Sequence, residues 1–253
     1  MISEYGLEGR VAIVTGAGRS IGRGIATVLA EAGADVLLCG REEQDLENVA
    51  AEVEALGRKG IPVVCDVTDR DALAAMIAIC NAELGTPTIA VANAGVFQEV
   101  GPAEDVSPEE WGKVVGVDLT GVWHTCQLAG REMIDNEGGA IVTISSIMGV
   151  VAGPGEVAYT AAKFGVVGLT KVLAAEWAEH GIRVNAVSPG FVERDVEPLT
   201  EQPEVVDRIM SRAPLARWGQ PREIGLATAF LVSPAAAFIT GTNLPVDGGW
   251  LAI

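Results

Sequence analysis

Short apolar runs alternate with longer amphipathic stretches along most of the chain. The strand-like runs are Val11–Val14, Val36–Cys39, Ile61–Cys65, Ile89–Ala92, Ala140–Ile144, Arg183–Val187 and Asn243–Val246. Stretches with helical spacing of apolar residues lie between them, at Ile21–Ala32, Asp45–Leu56, Ala72–Glu83, Pro108–Asn136, Val157–His180 and Pro221–Val232. Strands that are apolar on both faces and separated by helices are typical of a parallel sheet wound in both directions. The sequence therefore predicts an α/β fold, a doubly wound parallel sheet of about seven strands with helices on both faces.

The alternation continues through all 253 residues without an internal repeat, a low-complexity tract or a linker. We therefore expect a single domain over residues 1–253. The least regular stretch, 191–219, is rich in proline and charge and is predicted to be a substrate loop. Helix ends carry ordinary signals: Ser107 before Pro108 predicts an N-cap, and Gly57 and Gly181 are expected to be left-handed C-terminal caps.

The charge of the chain limits its partners. The formal net charge is −17, and such a surface repels phosphate backbones, so nucleic acid and anionic membranes are poor partners. The N-terminus shows no basic region followed by an apolar one, and no uninterrupted apolar run has the length of about 18 residues that a membrane span needs. We expect a soluble, cytoplasmic protein that does not bind membranes.

Cysteines and histidines give no sign of a metal site or a disulfide framework. The four cysteines, Cys39, Cys65, Cys80 and Cys126, are scattered in apolar stretches and read as small core residues. The two histidines, His124 and His180, have no neighbours at the spacing of metal ligands. We therefore predict no bound metal.

Tyr159 and Lys163 are four residues apart in a helical stretch, so they share one face. The ammonium favours the ionised phenol and is expected to lower its pKa from about 10. Upstream, Ser146 could hydrogen-bond an oxygen that gains or loses negative charge. The three groups together predict chemistry that interconverts a ketone and an alcohol. The spacing alone is a weak signal, because the same pair on an exposed helix most often has no function.

A glycine-rich turn follows the first strand, with the sequence Thr15-Gly16-Ala17-Gly18-Arg19-Ser20-Ile21-Gly22. Glycines at a strand-to-helix turn allow the backbone to approach a pyrophosphate, which the helix N-terminus attracts. The spacing differs from Gly-x-Gly-x-x-Gly because the final glycine comes one residue later. A tight connection without a ligand could use the same residues, but the position directly after the first strand favours phosphate binding.

These motifs, taken together and in order, resemble the short-chain dehydrogenase/reductase family over residues 8–250. The glycine turn fits the family's Thr-Gly-x-x-x-Gly-x-Gly, with Ser20 in place of the middle glycine. The remaining matches are Asp66-Val67 (the adenine pair), Asn93-Ala94-Gly95 (with Ala92 in the first place of Asn-Asn-Ala-Gly), the catalytic Ser146, Tyr159 and Lys163, Pro189-Gly190 beside the nicotinamide, and Val246-Asp247-Gly248-Gly249 near the C-terminus.

The resemblance implies a Rossmann-like domain that transfers a hydride between a nicotinamide and a carbinol carbon, commonly as a homotetramer. Tyr159 would exchange the proton, Lys163 would bond the nicotinamide ribose, and Ser146 would orient the substrate oxygen. Asp118 stands where the family usually has a catalytic asparagine, and Arg194 where a threonine often bonds the nicotinamide amide. The expected cofactor contacts are Gly16, Arg19, Ser20, Ile21, Gly22, Arg41, Asp66, Val67, Asn93, Ala94, Gly95, Tyr159, Lys163, Pro189, Gly190 and Val192.

The end of the second strand predicts the cofactor. NAD-preferring relatives usually place an acid there, whereas this chain has Gly40 followed by Arg41, with Arg19 in the glycine turn. Guanidinium groups suit a 2′-phosphate, so we expect NADP(H) to be preferred and NAD(H) to be possible. The alternative is that Arg41 only caps the next helix or points to solvent.

The substrate is less defined by the sequence. The loop 147–154 after Ser146 is mostly apolar, which favours a free, small and rather apolar ketone or alcohol, unless these residues only pack beneath the site. An acidic carrier protein needs a basic docking patch, and Asp135-Asn136-Glu137 offers none. A 3-oxoacyl-carrier-protein reductase and a sugar or polyol dehydrogenase remain alternatives. A nucleotide-binding sensor or scaffold is the alternative outside enzymes.

Overall fold

The computed structural model describes residues 3–136, 138–193, 206 and 211–253. Arg194, Glu137 and most of the predicted substrate loop at 191–219 lie outside these residues.

Seven parallel strands form one sheet within the described residues. They are β1 (Val11–Thr15), β2 (Asp35–Gly40), β3 (Gly60–Val64), β4 (Ile89–Ala92), β5 (Gly139–Ile144), β6 (Ile182–Pro189) and β7 (Asn243–Val246). Their order in the sheet is β3-β2-β1-β4-β5-β6-β7. The chain therefore winds outward in one direction from β1, then returns to β4 and winds in the other. This confirms the predicted doubly wound, Rossmann-like parallel sheet.

Helices connect the strands close to where the sequence predicted them. They are α1 (Ser20–Glu31), α2 (Glu43–Ala55), α3 (Arg70–Glu83), α4 (Pro108–Val115), α5 (Val122–Asp135), α6 (Val157–Trp177) and α7 (Pro221–Val232). The predicted caps are present: Ser107 Oγ accepts from the Glu110 N–H at 3.1 Å, and Gly57 and Gly181 have φ of 78° and 72°.

A hydrophobic core lies on each face of the sheet, as predicted. Successive residues of β1 point into different cores. Val14 lies in the core with α1, α2 and α7, and Ile13 lies in the core with α3, α5 and α6. Because successive strand side chains point to opposite faces, apolar strands of this kind are buried on both sides. The carboxyl ends of the strands are left to form the site.

One sequence-based expectation needs correction. The stretch 108–136 is not one regular helix, because a π-helical segment, Gly116–Gly121, separates α4 from α5. The helix Val157–His180, with a mean hydropathy of 1.3, is long and apolar enough by length and composition alone to cross a membrane, although charged residues such as Lys163 and Lys171 interrupt its apolar sequence. In the structure this helix packs on β5 and β6 and carries Tyr159 and Lys163. It is therefore a core helix of the fold.

Candidate active site

A cavity of about 620 Å³ opens at the carboxyl edge of the sheet, at the boundary between β1 and β4 where the strand order reverses. In doubly wound sheets this crevice is the place where ligands bind. All the residues predicted to contact cofactor or substrate line the cavity, together with residues that the motifs did not indicate. The site thus extends from the glycine turn, past the end of β2, to the N-terminus of α6.

The glycine turn packs too closely against its neighbours to accept side chains at two positions. Gly16 has φ of 65°, and a Cβ on Gly22 would collide with the Gly16 carbonyl oxygen. Asn93 holds the turn, donating from Nδ2 to the carbonyls of Thr15 at 2.8 Å and Gly16 at 3.2 Å. Ser20, where the family has its middle glycine, keeps a left-handed φ of 47°. The backbone therefore forms a cradle of the kind that a pyrophosphate fits.

The end of the cavity at β2 and β3 carries charges of both signs. Arg19 and Arg41 line it, and Arg41 contributes to lowering the pKa of Asp66 after the larger effect of hydrogen bonds from Thr68. The structure adds Glu42 and Asp45, which sequence reasoning missed, although acids at the start of a helix directly after the strand were visible. Val67, Cys39 and Cys65 also line this end, and the Cys39 thiol donates to the Cys65 carbonyl at 3.8 Å.

Ser146, Tyr159 and Lys163 meet at the centre of the cavity. Ser146 ends the loop after β5, and Tyr159 and Lys163 lie in the first turns of α6. Lys163 Nζ is 5.3 Å from the centre of the Tyr159 ring, and the Ser146 hydroxyl is near enough to the phenol to act on its pKa. All three residues are buried, with 8%, 9% and 4% exposure respectively. A hydroxyl, a phenol and an ammonium therefore converge where a small oxygen of a ligand could sit.

The expected lowering of the Tyr159 pKa is wrong for the protein alone. Burial, the largest effect, raises the pKa of the phenol above its usual value, and the charges of Asp118 and Glu156 add to this. The Lys163 ammonium and the Ser146 hydroxyl act in the opposite direction without overcoming it. The sequence indicated the ammonium but not the depth of burial, which is a property of the fold.

Asp118 lies next to Lys163 in the buried interior. Its Oδ2 is 3.1 Å from Lys163 Nζ, and its Oδ1 accepts from the Val96 N–H at 2.8 Å. Lys163 also donates to the Ile144 carbonyl at 3.2 Å. Burial acts to lower the pKa of Lys163, but the charge and hydrogen bond of Asp118 and the charge of Tyr159 raise it. Lys163 is therefore held as an ammonium.

Between the catalytic groups and β7, the backbone after β6 lines the cavity. Gly190 allows a close approach, since a Cβ there would lie 2.7 Å from Asp247 Cα. Val192 pairs with Gly219 through an isolated bridge, which ties together the two ends of the segment 191–219. The remaining residues predicted to contact the cofactor also line the cavity: Ile21, Ala94, Gly95 and Pro189.

The far end of the cavity is mostly apolar and was largely missed by motif reasoning. Phe97 packs on the Tyr159 ring with 5.6 Å between ring centres, and Phe191 lies 5.9 Å from Trp218. Glu156, immediately before α6, brings a carboxylate to the same region. The remaining lining residues here are Val96, Lys113, Ile147 and Met148. The sequence signals for this surface were the apolar loop after Ser146 and the stretch 191–219, which contains Phe191 and Trp218.

Three features occur together in this cavity: its place at the reversal of the strand order, the glycine cradle, and the buried hydroxyl, phenol and ammonium. Together they define an oxidoreductase that uses a nicotinamide and acts on alcohols and ketones. The comparisons with known proteins agree. A family model described as enoyl-(acyl carrier protein) reductase matches residues 16–251. The chain belongs to the short-chain dehydrogenase/reductase family, and it is an NAD(P)-dependent oxidoreductase acting on a secondary alcohol or ketone.

Relatives of similar length act on different substrates. The chain is 38% identical to gluconate 5-dehydrogenase of Gluconobacter oxydans, over 97% of this chain and 96% of the relative. It is 37% identical to 3-oxoacyl-(acyl-carrier-protein) reductase of Thermotoga maritima, over 96% and 98% respectively. The solved structure of 7α-hydroxysteroid dehydrogenase with NADH and 7-oxo glycochenodeoxycholic acid has a TM-score of 0.93 and 32% identity, with 98% of this chain and 96% of that chain covered. Membership of the family therefore does not identify the substrate, which depends on the residues that line the cavity of each member.

Proposed function

We propose that the protein is an NADP(H)-preferring oxidoreductase that interconverts a free, small and rather apolar ketone with its secondary alcohol. The observation that carries the proposal is the buried set Ser146, Tyr159 and Lys163, open on one side to an apolar cavity and on the other to the glycine cradle. The nicotinamide, when bound, supplies or accepts the hydride. The chain's own side chains supply orientation, charge and the proton.

In the direction of ketone reduction, the hydroxyls of Ser146 and Tyr159 hydrogen-bond the carbonyl oxygen. As negative charge develops on that oxygen, Tyr159 transfers its phenolic proton to it. Lys163, held as an ammonium by Asp118, stabilises the phenolate that remains. In the reverse direction the phenolate accepts the alcohol proton. We also assign Asp118 to the path by which this proton exchanges with solvent.

The cofactor is proposed to lie along the carboxyl edge of the sheet. The cradle of Gly16, Ser20, Ile21 and Gly22 suits the pyrophosphate, and Asp66 and Val67 suit the adenine. Arg19 and Arg41 favour a 2′-phosphate, because Gly40 removes the carboxylate that would bond the ribose in NAD-preferring relatives. The ribose next to the nicotinamide is assigned to Tyr159 and Lys163, and the nicotinamide itself to Asn93, Ala94, Gly95, Pro189, Gly190 and Val192.

The cavity supports an apolar and uncharged substrate over the alternatives. The rings of Phe97 and Trp218 and the side chain of Met148 offer apolar contacts. The Glu156 carboxylate would repel a sugar acid placed there, and a polyol would leave hydroxyls against apolar side chains. An acidic carrier protein would meet a chain with a net charge of −17. These features favour a free ketone over gluconate, polyols or acyl-carrier thioesters.

We further propose that the chain works as one domain, with the segment 191–219 as its substrate loop. Phe191, Val192 and Trp218, at the two ends of this segment, line the cavity. We also propose a homotetramer built on α5 and α6. Its support is a stripe of exposed small and apolar residues on α6, at Val157, Ala161, Phe164, Gly168 and Val172.

The test is a substrate panel with NADPH and NADH. It contains neutral cyclic and aryl ketones, their carboxylated analogues, polyols, gluconate and an acyl-carrier thioester. We expect the highest kcat/KM for a neutral apolar ketone with NADPH, and we expect Glu156→Gln to improve turnover of the carboxylated ketones selectively. Salt-sensitive turnover of the acyl-carrier thioester, far above its small-molecule analogue, would reverse the ranking. Cofactor binding without turnover of any compound would favour a nucleotide-binding sensor.

A further inference from the structure

The three residues after Gly95 each contact a member of the proposed catalytic set. The Val96 N–H donates to Asp118, and the Phe97 ring packs on the ring of Tyr159. Gln98 goes further, because its side chain reaches the backbone of α6 itself. The family motifs described above do not include these positions. Phe97 lines the cavity, whereas Gln98 does not. Its side chain is nevertheless almost wholly buried, with 5% exposure.

The N-terminus of α6 is not capped by the side chain of its own N-cap residue. The N-cap residue is Glu156, whose side chain makes no capping hydrogen bond and lines the cavity instead. The first N–H groups of a helix have no partner inside the helix, and burial without a partner is costly for them. Ala158 and Tyr159, the second and third residues of α6, are both buried. Another group must therefore satisfy their N–H groups.

The Gln98 carboxamide meets this need. Its Oε1 accepts from the Ala158 N–H at 2.7 Å and from the Tyr159 N–H at 3.3 Å. Its Nε2 donates to the Gly155 carbonyl at 3.2 Å, one residue before the N-cap. A side-chain oxygen that accepts from the second and third N–H groups is the ordinary N-cap arrangement, here supplied from a distant part of the chain. One amide thus holds both the loop before α6 and the backbone of Tyr159.

We propose that Gln98 is a positioning residue for the reaction: it caps α6 from outside, fixes the backbone of Tyr159, and leaves the Glu156 side chain to face the substrate. This inference rests on the proposed function, in which Tyr159 exchanges the proton. The phenol must lie within hydrogen-bond reach of both Ser146 and the substrate oxygen, and small displacements of such groups are costly to catalysis. Loss of the cap therefore affects turnover more than cofactor binding.

The test compares Gln98→Ala with Gln98→Glu, using the full chain with NADPH and the best ketone of the panel. The alanine removes the acceptor, and kcat should fall about 10- to 100-fold with the NADPH dissociation constant unchanged. The glutamate keeps oxygens that accept from both N–H groups but loses the donor to the Gly155 carbonyl, so it should restore part of kcat. If Gln98→Ala does not fold, Gln98→Asn, whose amide is one methylene shorter, takes its place in the comparison.

Asp69→Ala is the matched control. Asp69 caps α3, where its Oδ1 accepts from the N–H groups of Asp71 and Ala72, so the substitution removes the same kind of cap away from Tyr159. It should lower the thermal stability and leave kcat unchanged. The inference is overturned if Gln98→Ala keeps kcat within about twofold, if Gln98→Glu is as slow as Gln98→Ala, or if Asp69→Ala loses kcat equally. Tyr159→Phe, measured beside them, separates the two proposals, since a fast Tyr159→Phe enzyme refutes the function itself.

Discussion

A buried ion pair replaces the usual asparagine contact at the centre of this site. Lys163 and Asp118 are 4% and 1% exposed, and each would be costly to bury alone as a charged group. Asp118 also accepts from the Val96 N–H, so its carboxylate is held by the backbone on one side and by the ammonium on the other. The pair fixes the position of Lys163 and adds a negative charge that the phenol of Tyr159 senses.

Asp118→Asn should shift the pH dependence of alcohol oxidation to lower pH. The Asp118 charge raises the pKa of Tyr159, and oxidation needs the phenolate, so the rate rises as the pH passes that pKa. Removal of the charge lowers the pKa of Tyr159, so we expect the midpoint to move to lower pH. The control is Glu52→Gln, which removes an exposed acid paired with Arg23. An unchanged midpoint in Asp118→Asn would refute the involvement of Asp118.

Arg41→Ala should weaken NADPH binding about 10-fold or more and change NADH binding little, because the guanidinium is assigned to the 2′-phosphate. Dissociation constants from cofactor fluorescence measure the effect. Arg23→Ala, an exposed arginine paired with Glu52, is the matched control. Tighter binding of NADH than of NADPH by the unmodified protein, or equal weakening of both by Arg41→Ala, would overturn the assignment. In that case Glu42 and Asp45, which line the same end of the cavity, would explain a preference for NADH.

Among the elements, the glycine turn and α1 show which glycines the fold requires. Gly22 faces the Gly16 carbonyl with no space for a Cβ, and Gly16 has a left-handed φ of 65°. Ser20 occupies a left-handed conformation, φ 47°, that costs a residue with a Cβ about 1 kcal/mol. The serine therefore occupies a backbone position where the family's glycine is unstrained.

Ser20→Gly and Gly22→Ala should have opposite effects. Ser20→Gly removes the strain of a left-handed serine, so the thermal stability should stay level or rise and cofactor binding should persist. Gly22→Ala must displace the Gly16 carbonyl, so cofactor binding should be lost even if the protein still folds. Thermal unfolding with and without NADPH measures both. A Gly22→Ala protein that NADPH still stabilises would contradict the cradle.

The sequence predicted secondary structure well where the spacing of apolar residues was regular. It did not predict features that depend on packing between elements. Strands buried on both faces stood out as apolar runs, and the caps at Ser107, Gly57 and Gly181 followed from local chemistry. The π-helical segment Gly116–Gly121 did not, since its apolar spacing fits a regular helix. The same limit applies to the site. Motifs identified Ser146, Tyr159 and Lys163, whereas only the fold brings Gln98 to the start of α6 and Glu156 to the cavity.

At the scale of the whole molecule, α6 has three separate functions. Its inner face packs on the sheet, its N-terminus presents Tyr159 and Lys163, and its outer face exposes Phe164 and Val172 at 47% and 53%. Because both the inner and the outer face of α6 are apolar, the helix is as apolar as one that crosses a membrane. An exposed apolar stripe on a helix is typical of a contact with another protein surface.

We expect a native mass of four chains in light scattering, and we expect Phe164→Asp to shift it to smaller species because a charge is then buried in the contact. Phe238→Asp, at a fully exposed position outside α6, tests whether the effect is specific to this helix. A monomer in the unmodified protein, or a tetramer that survives Phe164→Asp unchanged, would contradict the proposed role of α6.

The central claim is that Tyr159 exchanges the proton with the substrate, and Tyr159→Phe tests it most directly. The substitution keeps the ring that packs on Phe97 and removes only the hydroxyl. Single-turnover reduction of a ketone by bound NADPH should slow by about 100-fold or more, while the dissociation constant of NADPH changes little. Turnover near that of the unmodified enzyme, with cofactor binding intact, would contradict the account.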